Sequence, residues 1–338
     1  GLCPFHDDRE PSMIITPSNN LWHCLGACQA GGSVIDFVMR AHGVSFRHAV
    51  ELLQRGRGGT SAAASGEEPM VLDLLAPAGV TATELLEAVT QHYHCALLKD
   101  AGARAYLGWR GLDRADVIEH FRLGFVDRTL GYRVPHIQRK LGKELRTKLT
   151  EVGVLRDSGH EHLRGCVVVP LMDAEGRVVQ LYGRKVDDTK EPRHLYLKGP
   201  HRGVFNRAGL EGAEEVIVCE AVLDAMTFWA HGFTQVTSGY GIEGVTEEIL
   251  EAIVSSGAKV VKIAFDRDEA GDRGAMKLAE RLGRRGLEVY RVVFPRGMDA
   301  NEYARKVEPA PRSLGLVLRQ AEWMRGSRVV SNASTSAA

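Results

Sequence analysis

The chain has 338 residues, 43 Lys and Arg against 43 Asp and Glu, and 44% hydrophobic residues. That length admits two or three domains, and the composition is that of a globular protein rather than a disordered one. No apolar run nears the roughly 18 residues of a membrane span, which argues against a membrane partner, and Gly1-Leu2-Cys3-Pro4 has no Met and is no signal peptide; free thiols scattered through the later segments fit a reducing cytoplasm.

The first module is predicted over residues 1–55. Met13–Thr16 and Leu21–Cys24 read as short strands around a Ser18-Asn19-Asn20 turn. Ser33 caps a helix from Val34 to His42, and Ser45 a second from Phe46 to Arg55. Cys3 and His6, then Cys24 and Cys28, form two ligand pairs. Thiolates and imidazole in that pattern suit tetrahedral zinc, and four filled positions make the site structural. His23 competes with Cys24 as a ligand, but neighbours on a strand point to opposite faces. A motif starting at residue 3 implies that the chain begins inside a longer protein. Residues 56–82 read as a flexible linker, since 56–69 (GRGGTSAAASGEEP) are small and polar.

The second module, 83–212, is basic: residues 99–207 hold 22 Lys and Arg against 14 Asp and Glu. Thr83 opens a helix, and further helices are expected near 103–109 and 113–121. Cys166–Leu171 and Val178–Tyr182 flank a turn and read as a hairpin. Cys95, Cys166 and Cys219 read as buried small hydrophobes.

The third module, 213–310, is acidic. Strands at Val216–Cys219, Thr234–Thr237, Val260–Phe265 and Glu288–Val293 alternate with helices near 222–231, 246–255 and 272–285. That alternation predicts a mostly parallel sheet covered by helices. A last helix is expected over 313–325, within a 311–338 tail that is otherwise disordered. The fold class is therefore multidomain α+β and α/β. Glu220 follows one strand, Asp266 and Asp268 follow another, and Asp299 lies after the last. Sites in open parallel sheets form at the carboxyl ends of strands. Residues i and i+2 of an extended segment face one way, so Asp266 and Asp268 aim at one point. Carboxylates there suit magnesium or manganese. Read blandly, the acids are helix caps and the basic excess a solvated face.

Three sets of residues carry a resemblance. Gly-Leu-Cys-Pro-Phe-His6, Pro11-Ser12, Trp22-His23-Cys24, Gly31-Gly32 and Val34-Ile-Asp-Phe37 resemble the zinc-binding domain of DnaG-type bacterial primases. The family's second pair is usually Cys-x-x-Cys, and this one has an extra residue. Arg104–Leu112, Phe121–Phe125 and Arg164–Pro170 with Gly176–Arg184 resemble the start and basic hairpin of the primase core. Val216–Glu220, Asp224 and Phe265-Asp-Arg-Asp-Glu-Ala-Gly271 resemble the TOPRIM domain. The likeness implies primer synthesis on a single-stranded DNA template from nucleoside triphosphates. It implies one structural zinc and catalytic Mg²⁺ or Mn²⁺, with a replicative helicase as a further partner. Glu220, Asp266 and Asp268 would be catalytic. Glu220, Asp224, Asp266, Asp268 and Asp299 would hold the catalytic metal. Arg110, Arg184, Tyr196 and Lys198 would bind nucleotide or template. Two departures stand out: Ala221 replaces a Gly, and Asn301 replaces an Asp, which removes one charge and favours manganese. These departures suit a mobile-element version. The rival readings are a TOPRIM nuclease and a non-catalytic nucleic-acid-binding protein of a mobile element.

Overall fold

The computed structural model describes residues 1–42, 80–134, 140–241 and 244–325, with Phe46, Ala49, Val50 and Leu53 in addition. The expected helix over 46–55, the 56–82 linker and the 327–338 tail lie outside those spans, wholly or in large part. None of the helices described is long and apolar enough to cross a membrane.

The N-terminal module is a three-stranded antiparallel sheet of β1 (Met13–Thr16), β2 (Leu21–Cys24) and β3 (Gly31–Ser33), followed by α1 (Val34–His42). The third strand is an addition to the two expected. Alternation along β2 buries Trp22 and Cys24 and exposes Leu21 and His23, so His23 points away from Cys24 as expected. Phe5, Trp22 and Phe37 close the core with ring centroids 4.9–5.6 Å apart.

Next come α2 (Ala82–Lys99), α3 (Ala101–Trp109), α4 (Ala115–His120), β4 (Gly124–Phe125) and α5 (Lys140–Glu151). The helix expected to open at Thr83 is capped two residues earlier. Thr81 and Glu84 form a reciprocal capping box that satisfies two otherwise unpaired N–H groups. β5 (Cys166–Met172), β6 (Val178–Lys185) and β7 (His194–Tyr196) complete a four-stranded sheet of order β4-β5-β6-β7.

The C-terminal sheet has the order β12-β11-β10-β8-β9. Its members are β8 (Glu215–Cys219), β9 (Val236–Ser238), β10 (Val260–Ala264), β11 (Glu288–Arg291) and β12 (Glu322–Arg325). The first four are mutually parallel and β12 is antiparallel. α6 (Val222–Ala230), α7 (Glu247–Ser255), α8 (Glu269–Arg284), α9 (Ala300–Lys306) and α10 (Ala310–Arg319) connect them. Val216, Val218, Val261, Ile263 and Phe265 pack against Ile249, Ile253, Leu278 and Leu282 in one buried cluster. The helix expected over 313–325 ends at Arg319. Residues 322–325 instead pair with β11, where main-chain groups at an open sheet edge find partners.

The contacts divide the chain into two units. The first holds residues 1–100, 124–168 and 182–199; the second holds 101–123, 169–181 and 200–338. By contacts, residues 101–123, grouped by sequence with the basic module, fall in the second unit. Within that unit His120 stacks on Trp229 at 4.4 Å and Phe121 on Phe205 at 4.8 Å, and Arg114 donates to the Ala230 carbonyl.

In the first unit Glu161 is buried and accepts a hydrogen bond from the Tyr93 hydroxyl at 2.8 Å. Burial and the Asp127 charge push its carboxyl up to about 7, against the pull of Tyr93, the Leu130 N–H and Arg128. The folded state therefore holds this proton more tightly than the unfolded chain. Its contribution to stability is complete below the ordinary value of 4.5 and is lost as pH rises to about 7. Glu161→Gln keeps an acceptor for Tyr93 and has no proton to lose. Urea denaturation across that range should show a flatter pH dependence in the variant.

Candidate metal centres and nucleic-acid surface

In the N-terminal module Cys3, His6, Cys24 and Cys28 place their ligand atoms within 4.8 Å of one another. Cys3 Sγ lies 3.7 Å from Cys28 Sγ, and His6 Nδ1 4.0 Å from Cys24 Sγ. The residue inserted between the last two cysteines is taken up by the turn Gly26–Gln29, closed by a 3.2 Å Gln29 N–H to Gly26 carbonyl bond with Gln29 at φ 43°. Asp8, which sequence reasoning passed over, supports the cluster. Its Oδ1 lies 3.4 Å from His6 Nε2, the ring nitrogen turned away from the thiols. Its Oδ2 accepts from the Cys3 N–H and the Ser12 hydroxyl, each at 2.6 Å. These bonds hold the Asp8 carboxyl below its usual range. A carboxylate on the far nitrogen fixes the tautomer and aim of a ligating imidazole. Its only trace in sequence is an Asp two positions after the His.

The acids of the second unit gather at the carboxyl edge of the parallel sheet. β8 and β10 run in register, with Ala264 beside Cys219. Glu220 and Asp266 therefore leave the sheet together, and the Glu220 carboxylate accepts from the Asp266 N–H. Burial first, then Asp266, raises the Glu220 carboxyl to about 7. Burial and the charges of Asp299 and Asp268 raise Asp266 to about 6. Asp224, on the first turn of α6, is buried and raised well above its ordinary value by burial and by Asp299. Asp268 caps α8, accepting from the Gly271 N–H at 2.7 Å; Asp299 caps α9, accepting from Glu302 at 2.6 Å.

A divalent cation suits this edge. Glu220 Oε2 is buried with no hydrogen-bond partner among the described residues, and carboxylates that raise one another are relieved by positive charge. Among the described residues no three carboxylates come within 4.8 Å of one another, unlike the cysteine and histidine group.

Asn301 has a different task from the weakened ligand expected of it. It is buried; its Nδ2 donates to the Arg110 carbonyl and the Thr227 hydroxyl, each at 2.8 Å, and its Oδ1 accepts from Arg110 Nη1 at 3.3 Å. Its backbone N–H donates to Asp224 at 3.1 Å. The amide is thus spent tying residue 110 to α6. Asn301→Asp should not restore a ligand. It loses two donors in a buried place, at a cost of about 2 kcal/mol or more, which chemical denaturation would read. Arg110 is correspondingly committed to Asn301, with its guanidinium over the Trp109 ring at 4.5 Å.

Arg184, Tyr196 and Lys198 lie in the first unit. Arg184 is buried, donating to His194 Nε2 at 2.7 Å and to Asp188 at 2.6 Å. Because Arg only donates, His194 carries its proton on Nδ1, which faces the Tyr182 hydroxyl at 2.9 Å. Tyr182 is core. Tyr196 is half-buried with its hydroxyl pushed up by burial, and Lys198 is exposed, 4.0 Å from Asp157. Lys185, the neighbour of Arg184, instead lines a cleft of about 950 Å³ with Arg128, Arg156, Arg164 and Lys190. Sequence counting had signalled the basic excess but not this cleft.

An open parallel sheet with acids at its carboxyl edge, in a chain that also carries a zinc-type cluster, defines a class: proteins of the Toprim type with a zinc ribbon. Residues 1–68 match the CHC2 zinc finger, 92–210 the N-terminal domain of the DNA primase catalytic core, and 217–304 a Toprim-like domain. Together, in that order, they identify the chain as a member of the DnaG-type primase family. A CHC2 finger carries one structural zinc, and a Toprim domain takes a divalent cation. The DNA primase of Staphylococcus epidermidis is 28% identical over 91% of this chain and 53% of its own length. The chain thus spans about half of the curated relatives it matches. Among solved structures, the zinc-binding and RNA polymerase domains of Aquifex aeolicus primase align with a TM-score of 0.62 at 23% identity, covering 96% of this chain and 79% of that one. The DnaG primase catalytic domain bound to ssDNA aligns with a TM-score of 0.59 at 21% identity, covering 72% and 81%.

Proposed function

We propose that this chain synthesises short RNA primers on single-stranded DNA, acting in the cytoplasm. The reading is carried by the carboxylate edge formed by Glu220, Asp224, Asp266, Asp268 and Asp299, in a chain that also carries the zinc finger and primase core. Cys3, His6, Cys24 and Cys28 would hold the zinc. Glu220, Asp266, Asp268 and Asp299 would hold Mg²⁺ or Mn²⁺, with Asp224 in support. When bound, the divalent cation would neutralise charge on the triphosphate and lower the cost of ionising a 3′-hydroxyl. Glu220 is the candidate to accept the hydroxyl proton. The 3′-oxygen bonds to the α-phosphorus, the α–β bridging bond breaks, and pyrophosphate leaves.

The cleft of Arg128, Arg156, Arg164, Lys185 and Lys190 suits template phosphates, as neutralised phosphates release counterions. Arg110, Arg184, Tyr196 and Lys198 remain candidates for nucleotide or template contact, with a replicative helicase as a further partner.

Incubation with single-stranded DNA, labelled nucleoside triphosphates and Mg²⁺ or Mn²⁺ tests the reading. Labelled primers that depend on template and metal are the expected product. Cut DNA without primers would favour a nuclease, and no metal-dependent product a binding protein.

A further inference from the structure

Arg291 lies buried behind the acid edge. It ends β11, paired with Ile263 of β10, and after the Val292 N–H reaches the Ile263 carbonyl that ladder stops. β10 leads on toward Asp266 with its neighbour strand gone. The Arg291 side chain takes the place of the missing ladder. Its Nη1 donates to the carbonyls of Phe265 at 2.8 Å and Ile263 at 3.3 Å, and its Nη2 to that of Asp266 at 2.8 Å. Asp272, on the first turn of α8, accepts from the same Nη2 at 3.0 Å. Gly271 closes on the same Asp266 carbonyl, where a Cβ would overlap the oxygen. The peptide after Asp266 is therefore fixed by a guanidinium fork and by the start of the helix that Asp268 caps.

We propose that Arg291 is a positioning residue for the divalent-cation site: its fork sets the peptide planes that aim Asp266 and Asp268. This rests on those two acids being cation ligands. Geometry and charge act in opposite directions here. A fixed cation near the carboxylates repels a second one, so if charge alone mattered its removal would tighten metal binding. If the fork sets the ligands, its removal weakens binding, and Lys, which keeps the charge without the planar fork, fails to rescue.

Titration of the full chain with Mn²⁺, followed by electron paramagnetic resonance, separates these outcomes. Arg291→Lys and Arg291→Met should each bind Mn²⁺ ~10-fold more weakly, the scale of losing a group that orients a ligand. Equal or tighter binding in either, with the fold intact by circular dichroism, would overturn the proposal. Should both fail to fold, Asp272→Ala decides: this half-exposed residue anchors the fork from outside, and binding weakened in the same direction is expected, while unchanged binding overturns the role. Asp268→Asn is the control. If it binds Mn²⁺ as the unaltered chain does, the assignment of the cation ligands has failed, and the role of Arg291 falls with it.

Discussion

Asp268→Asn should lower primer synthesis ~10²- to 10³-fold while leaving single-stranded DNA binding unchanged. Losing a carboxylate ligand removes part of a charge stabilisation worth several kcal/mol, and each 1.36 kcal/mol is about tenfold in rate. The substitution is informative because it separates charge from fold. Asp268 accepts the Gly271 N–H that starts α8, and Asn is an equally good N-cap. The helix therefore keeps its cap while the site loses a negative charge. Asp268→Ala would add the loss of the cap, about 1 kcal/mol of stability, and mix the two effects. Primer yield and filter binding on the same preparations check this. Activity retained in Asp268→Asn would remove that residue from the site; loss of DNA binding in parallel would mean that the variant is misfolded, or that DNA sits on the acids.

Much of this was legible because the chemistry is written locally. Two short cysteine and histidine pairs announce a metal, and an acid directly after an apolar β-branched run announces a strand-end carboxylate. The parallel order followed from strands alternating with helices. What escaped was chemistry made by distant segments. Arg291 reads as an ordinary charged residue in a strand, because its three carbonyl partners come from the end of β10 and the two residues after it, 25 to 28 positions away. Asn301 reads as a degraded Asp, because Thr227 and Arg110, which engage its amide, lie 74 and 191 positions off. β12 escaped because residues 322–325 continue a helical-looking stretch, and only an open edge on β11 makes them a strand. The helix α5 is different: Leu141, Leu145 and Leu149 recur at helical spacing, and that signal was present and unread.

Removing zinc should unfold the N-terminal module alone. Its buried hydrophobic cluster consists of Cys3, Phe5, Met13, Trp22 and Cys24, with Phe37 packed against it, and two of those five are thiols that chelation sets free. So small a cluster cannot offset the chain entropy of ordering roughly 40 residues, at about 1–2 kcal/mol each for the backbone. Zinc binding in comparable small modules contributes about 10–16 kcal/mol of apparent free energy, so metal loss and unfolding are one event. Cys24→Ser should act as chelation does, because the Cys24 sulfur also accepts the Gly26 N–H at 3.3 Å and lies 3.4 Å from the Ser12 hydroxyl. Trp22 reports the change: buried beside Phe5 and Phe37 in the folded module, it should become exposed, with red-shifted emission and new protease cuts within 1–42. The second unit has its own core around Val216, Val261 and Ile263, and its unfolding transition should stay where it is. Elemental analysis should find one zinc per chain before chelation and none in Cys24→Ser. A Trp22 signal that ignores both treatments would mean that the ribbon folds on its packing alone.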